Sequence, residues 1–296
     1  MSDLPTELPL PDGFRPMASV DGATAARGIP VPRDAATVML LREGGDGMEV
    51  FLLRRVAGMA FAGGMTVFPG GGVDQRDMET SVAWSGPDPD WWGRRFGCAP
   101  VLARALVCAA VRETFEEAGV LLAGAHGDSI VEDTGGYRDA RTALVNRSVS
   151  LARFLADAEL VLRTDLLRPW ANWVTPAEEP RRFDARFFLA VLPEGQSADG
   201  MTTEADLAGW RRPADVLEDW KVGRCSLLPP TWMTLTELAE AGSVEAAMAQ
   251  NRAIKKIIPR VIRRGDVLHA VFPGHPDYDS AVPHLPARPD DRLERS

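Results

Sequence analysis

The sequence predicts a mixed helix-and-strand fold, α/β or α+β, in one compact unit with an inserted subregion around residues 78–100. Three observations point there. Strand-like runs rich in β-branched and aromatic residues alternate with amphipathic helical stretches through the middle of the chain. Neither an internal repeat nor a low-complexity linker interrupts Val31–Phe272. With 45% hydrophobic and 25% charged residues over 296 positions, there is ample material for a buried core.

The elements follow in order. Residues 1–33 hold six prolines and little periodicity, and read as an extended N-terminal arm. "ATVMLLRE" and "MEVFLLRR" are strands joined across Gly-Gly-Asp-Gly, a hairpin signal. Glycines then crowd "FAGGMTVFPGGGVDQRD". From Met78 to about Pro100 the sequence turns irregular and tryptophan-rich, with Trp84, Trp91 and Trp92. A helix begins near Pro100, whose fixed φ and missing N–H suit a first helical position, and ends at Gly119. "SVSLARFLADAEL" is amphipathic and helical. "WANWVTP" and "FDARFFLAVLP" read as strands, the second apolar enough to be central. "GWRRPADVLEDW" is a strand leading into a proline-started helix. The run from Pro229 to Arg264 reads as helical with breaks at Gly242 and Pro259. "DVLHAVF" is a last strand, and Pro283–Ser296 a disordered tail. The domain expectation is an arm (1–33), a main domain (34–275) and a tail (276–296).

Composition excludes several function classes. A net charge of −9, with no Lys/Arg stripe interleaved with aromatics, leaves no footprint for nucleic acid. Cys98, Cys108 and Cys225 show no CxxC spacing, so neither a zinc site nor a disulfide framework is indicated. His126, His269, His275 and His284 are scattered without ligand spacing. The acidic, proline-rich start lacks a signal peptide's basic and apolar regions, no apolar run approaches a membrane span, and "RLERS" matches no targeting signal. A cytoplasmic enzyme is the expectation.

The helix at "AVRETFEEAGVLL" poses a physical question. With Val111 set at zero, Thr114, Phe115 and Ala118 fall within about 60° of it, whereas Glu113, Glu116 and Glu117 cluster opposite over roughly 100°. Like charges three and four residues apart weaken a helix by ~0.2–0.5 kcal/mol per pair. These glutamates also occupy the final turns, where the macrodipole favours cations. Two readings are open: a solvated acidic face, or a binding face for a hard divalent cation such as Mg²⁺ or Mn²⁺, which prefers carboxylate oxygen.

A second motif bears on the choice. Upstream stands the turn Pro69-Gly70-Gly71-Gly72, followed by Asp74 and Asp77. The helix segment "RETFEEAGV" resembles the second half of a Nudix box, Gly-x5-Glu-x7-Arg-Glu-U-x-Glu-Glu-x-Gly-U with U apolar. Arg112, Glu113, Glu116, Glu117, Gly119 and Val120 all match, and Gly71 with Asp77 maps onto the first half. Asp77 stands where the family has Glu, Arg76 where Gly is frequent, and Thr114 where an aliphatic is expected. Between Asp77 and Arg112 lie 34 residues where the pattern allows seven, an insertion of 27. A Nudix subgroup resembling the peroxisomal coenzyme A diphosphatase carries a long insertion at this point. It is similar also in "FPGG", in Thr175-Pro176 with Arg182-Phe183-Asp184 and Arg186-Phe187-Phe188, and in "LLPPT" at 227–231. The resemblance covers roughly residues 34–240. Loop-closure cost grows only logarithmically, about 0.6 kcal/mol per doubling, so the box survives if its halves stay adjacent.

The resemblance implies a Nudix-type α/β/α sandwich with a mixed sheet, the insertion near 78–100 and extra C-terminal helices. It implies a hydrolase of nucleoside diphosphates linked to another moiety, using Mg²⁺ or Mn²⁺ on Glu113, Glu116 and Glu117, one of them doubling as base. Arg112 would orient a carboxylate by a bidentate pair. Gly70 and Gly71 would turn backbone N–H groups towards phosphate. Asp77 and Gly119 would be structural members of the box. Arg54 and Arg55 are candidate phosphate contacts or ordinary strand-edge charges, and Arg181 and Arg182 are candidates for a nucleotide 3′-phosphate or a plain strand-start pair. Glu204 matches the place of an auxiliary acid. A coenzyme A signature fits at Leu52-Leu53 and Gly64-x3-Phe68-Pro69-Gly70-Gly71, but Ala60 stands where its second arginine belongs. Coenzyme A or its thioesters are the leading substrate; the alternatives are a dinucleotide or nucleotide-sugar pyrophosphatase (NADH, ADP-ribose) and a non-catalytic nucleotide-binding module. The expected partner is a small nucleoside diphosphate derivative, with no nucleic acid and no membrane, and a homodimer is allowed.

Overall fold

The computed structural model describes residues 5–10, 30–58, 62–79, 81–176, 179 and 181–281. Most of the arm read at 1–33, Ala60 and the tail Pro283–Ser296 lie outside these described residues. The chain divides into two compact units. One comprises Asp34–Asn172 and Ala185–Lys255, the other Met1–Arg33, Trp173–Asp184 and Lys256–Ser296.

The larger unit is built on a sheet whose strands run in the order β11-β3-β2-β10-β9. These are β2 (Arg33–Gly44), β3 (Gly47–Arg55), β9 (Leu167–Val174), β10 (Phe183–Val191) and β11 (Ala205–Arg211). The hairpin expected at Gly-Gly-Asp-Gly forms there: Gly44 pairs with Gly47, and Gly47 takes φ 107°, open to glycine. β11 adds antiparallel to β3. Two short strands hang from this sheet, β4 (Thr66–Val67) on β3 and β5 (Gly70–Gly72) on β2. β5 runs hard against its neighbour. A side chain at Gly70 would meet the Ala36 carbonyl at 2.5 Å, so only glycine lets this strand pair where it does.

The insertion does not stay irregular. It contains β6 (Trp84–Ser85), which pairs in parallel with β8 (Val161–Arg163), itself joined to β7 (Ala123–Gly124), and it contains a helix, α1 (Pro89–Phe96). Asp88 caps that helix by accepting from the Trp91 N–H, and Gly97 ends it at φ 63°. Its apolar pair, Trp92 and Phe96, spans a single helical turn, too short a stripe for periodicity to mark a helix. Trp92 is fully buried, stacks on Phe96 at 5.9 Å and lies 5.5 Å from Phe188 of β10. The insertion is thus part of the core.

The next helix, α2 (Pro100–Ala118), starts and stops as expected, with Pro100 in its first turn and Gly119 at φ 71° donating its N–H to Phe115 O. Ala103, Leu106, Val107, Ala110, Val111 and Phe115 join the core around Phe188 and Trp92. Thr114, at an apolar position of the box, is fully buried and satisfies its hydroxyl on Ala110 O at 2.7 Å. Then follow α3 (Arg138–Val145), α4 (Leu151–Asp157), α5 (Pro213–Lys221), α6 (Pro229–Ala241) and α7 (Val244–Met248).

The helical reading of Pro229–Arg264 fails beyond Met248. Lys256–Ile257 forms β12, and Arg260–Arg264 forms β13, which pairs with β14 (Val267–Val271). Ile257, Ile258, Val261 and Ile262 are β-branched and Pro259 offers no N–H, so the segment suits a hairpin better than a helix. In the smaller unit β14 also pairs with β1 (Glu7–Pro9), from the region read as an arm. There His269 and His275, scattered in sequence, meet on Glu7 at 2.8 and 3.1 Å, with Arg264 at 2.9 Å. No helix among the described residues is long and apolar enough to cross a membrane.

Truncating the aromatic plug between α1 and β10 tests whether the insertion is structural. Trp92→Ala is expected to lower unfolding free energy by about 3–5 kcal/mol, read by denaturant titration.

Candidate active site

The site is assembled where β5 lies along α2. Gly70 donates its N–H to Glu117 Oε2 at 2.8 Å. A Cβ on Gly71 would stand 2.4 Å from Glu113 Oε1, so the missing side chain is the space the Glu113 carboxylate occupies. Glycine is needed here for close approach rather than for an unusual φ.

The two halves of the box are fastened by one buried ion pair. Arg112 forks onto Asp77, Nε to Oδ1 and Nη2 to Oδ2, both at 2.9 Å. The same guanidinium donates to Gly72 O at 3.0 Å, to Glu113 Oε1 at 2.7 Å and to Glu116 Oε1 at 3.3 Å. Asp77 belongs to a short 3₁₀ turn, Gln75–Met78, and also accepts the Asp74 N–H at 2.8 Å. That turn sits against α2, so aspartate reaches Arg112 although it is one methylene shorter than glutamate. Arg76, at the place where glycine is frequent, pairs with Asp74 and donates to Arg147 O at 2.8 Å. Its guanidinium holds the Asp74 carboxyl down to about 2.

Electrostatics explain why the acidic face exists. It is not solvated: Glu117 is 7% exposed, and the Glu113 and Glu116 side chains 12% and 15%. Burial pushes Glu113 up to about 7, against the pull of Arg112 and with the push of Glu116. Burial together with the Glu113 charge pushes Glu117 up to about 8, although the Gly70 N–H favours its ionised form. Glu116 is raised too, by burial first. Burial works against the Arg112 charge, but the Asp77 fork and the nearby glutamates outweigh it and hold its pKa above the ordinary value. One arginine thus serves three carboxylates, Asp77, Glu113 and Glu116, while Glu117 has the Gly70 N–H and the Arg55 charge, and the set is short of positive charge.

That shortage is what a hard divalent cation would remove, and the donor set is all carboxylate oxygen. Among the described residues no three acidic, histidine or cysteine side chains converge into a ready-made cation cage. Two glutamates are turned onto Arg112 and the third onto Gly70.

The other sequence candidates distribute as follows. Arg55 pairs with Glu204 at 3.1 Å, and both charges act on Glu117, Glu204 raising its pKa and Arg55 lowering it. Arg55 Nε is buried without a hydrogen-bond partner. Arg54 is exposed and forms an ion pair with Asp206 at 2.7 Å. Arg182 belongs to the smaller unit, where it donates to the Thr175, Pro176 and Pro30 carbonyls. The sequence reading passes over Arg141 and Asp199, which meet in a bidentate pair beside Gly119; an Arg in an ordinary helix and an Asp in a loop carry no local signal.

Comparison with known proteins bears on the family. A family model described as the NUDT19 Nudix domain matches residues 100–238, the span that begins with α2. A Nudix hydrolase structure from Alicyclobacillus acidocaldarius superposes with a TM-score of 0.65 at 28% identity, covering 76% of this chain and 99% of its own. The chain is similar to the Nudix hydrolases in sequence and in fold. Among curated Nudix relatives, putative nudix hydrolase 7 of Caenorhabditis elegans is 26% identical over 82% of this chain and 73% of its own length. Human acyl-coenzyme A diphosphatase NUDT19 is 26% identical over 77% and 72%. The glycine half of the Nudix box precedes the matched span, so here the Arg112–Asp77 fork ties it to the helix half.

Two expectations follow. Asp77→Asn leaves the Arg112 charge without its fork and should lower unfolding free energy by about 3 kcal/mol, read by denaturant titration. Glu113 and Glu117 bind protons more tightly folded than unfolded, so metal-free stability should fall as pH rises from 4.5, the ordinary glutamate value, to about 8. Mn²⁺ displaces those protons and should raise Tm more at pH 8 than at pH 5 in a thermal scan.

Proposed function

We propose that this hydrolase cleaves the diphosphate bond of a nucleoside diphosphate derivative, with Mg²⁺ or Mn²⁺ held by Glu113, Glu116 and Glu117, and that coenzyme A or an acyl-coenzyme A is the substrate. The observation that carries the reading is the buried, under-compensated carboxylate set facing a glycine turn. A bound divalent ion would neutralise phosphate oxygens and lower the pKa of a water nearby.

The chain's own groups supply the rest. Glu117, with one oxygen fixed by the Gly70 N–H, is the base in this reading, ionised once a bound divalent ion displaces its proton. Glu204 lies within electrostatic reach of Glu117 and is the auxiliary acid in this reading. Arg55, whose charge acts on Glu117, is the better placed phosphate contact; Arg54 lies on the same strand, exposed and paired with Asp206. Arg112 touches no substrate and holds the box together through Asp77. Gly119 ends the helix. Arg182 acts as a brace for its own unit, its guanidinium spent on three carbonyls. Coenzyme A as substrate is supported by the relatives named acyl-coenzyme A diphosphatase.

A substrate panel tests this: coenzyme A, acyl-coenzyme A, NADH, ADP-ribose and diadenosine polyphosphates, each with Mg²⁺ or Mn²⁺. Release of 3′,5′-ADP and a phosphopantetheine is expected, with Glu117→Gln slower by about a hundredfold or more. Turnover of NADH or ADP-ribose instead would keep the mechanism and discard coenzyme A. Silence with both metals would overturn hydrolysis.

A further inference from the structure

The C-terminal end of α2 carries three glutamates in its last turns and no basic residue, the reverse of what its dipole favours. The missing cation comes from another helix. Arg141 of α3 donates from Nε to Glu116 O at 3.1 Å, so its charge sits on the terminal carbonyls. Its two remaining nitrogens fork onto Asp199, Nη1 to Oδ2 and Nη2 to Oδ1, both at 2.8 Å. Asp199 in turn donates its own N–H to Ala118 O at 2.9 Å, and its Oδ1 accepts the Met201 N–H at 3.0 Å. Two of the helix's orphan carbonyls are thereby met, one from each partner.

The pair also explains a box residue. A Cβ on Gly119 would lie 2.8 Å from Arg141 Nη1 and 3.0 Å from Asp199 Oδ2. Gly119 is required twice, for its φ of 71° and because the ion pair passes over it. Beyond Asp199 the chain turns through Gly200, where an added Cβ would meet Ala208 Cβ at 2.5 Å, and reaches Glu204, whose N–H bonds Thr202 Oγ1 at 3.2 Å. Glu204 then pairs with Arg55, and both act on Glu117. Six residues of chain thus lead from the end of the glutamate helix to the Glu204–Arg55 pair.

We infer that Arg141 and Asp199 form a positioning clamp that fixes the end of α2, where Glu116 and Glu117 stand, and, through residues 199–204, places Glu204 on Arg55. The role rests on the hydrolase reading above. The clamp touches neither substrate nor reacting atoms. Lysine keeps the charge of Arg141 but cannot make the fork and the carbonyl bond together, so Arg141→Lys isolates the geometry.

Hydrogen exchange, which needs no substrate or metal, comes first. In Arg141→Lys and in Asp199→Asn the Gly119 and Asp199 amides should exchange about tenfold faster while α1 amides keep their protection. Unchanged exchange at both amides overturns the clamp. Turnover separates positioning from mere structure. In both variants kcat should fall by about tenfold with KM little changed and Tm lowered by only a few degrees. A wild-type kcat per folded molecule overturns positioning even if exchange responds. If the wild-type chain turns over nothing, the hydrolase reading fails separately, and Mn²⁺ affinity by EPR becomes the test. A Kd raised about fivefold in Arg141→Lys then supports the clamp, and an unchanged Kd overturns it.

Discussion

The buried fork between Arg112 and Asp77 is the contact on which the site depends. It joins positions separated by an entire strand and helix of inserted chain, and it holds the glycine turn against α2. Everything nearby follows from that contact. Gly72 lends its carbonyl to the same guanidinium, Gly71 leaves room for Glu113, and Gly70 reaches Glu117 with its N–H. A buried pair of this kind contributes little net stability, since desolvation offsets attraction. What it secures is register, because the fork fixes which residue of the turn meets Arg112.

The same fork sets the electrostatics. The glycine turn covers Glu113 and Glu117, and the Arg112 guanidinium is bonded at once to Asp77, Glu113 and Glu116. The residual imbalance appears as raised affinities for protons at Glu113, Glu116 and Glu117. A site that prefers protons to no cation at all also has a gradient towards a divalent ion. A metal bound there would compete with protons for the same oxygens, so that pH and metal would act on one stability curve.

The helix that carries these residues is held from both ends by parts of the chain its own sequence does not announce. Near its start the insertion packs Trp92 and Phe96 against Phe188. At its end Arg141 and Asp199 supply charge and hydrogen bonds that the last turn lacks. Both supports are tertiary solutions to local deficits, a helix of only two turns and an acidic C-terminus.

The sequence by itself determined the box helix and its limits, because proline at one end and glycine at the other act through their own backbone torsions. It also determined the hairpin at Gly-Gly-Asp-Gly, the central strands and the chemistry of the acidic face, all carried by local pattern. Only the tertiary structure decided that the acidic face is dry, that Asp77 meets Arg112, and that Arg182 spends its guanidinium on carbonyls. It likewise made strands of the segment after Met248 and gathered His269, His275 and Arg264 on Glu7. These outcomes depend on contacts between residues far apart in sequence, and the burial of a charge is fixed by what covers it, which no local window contains.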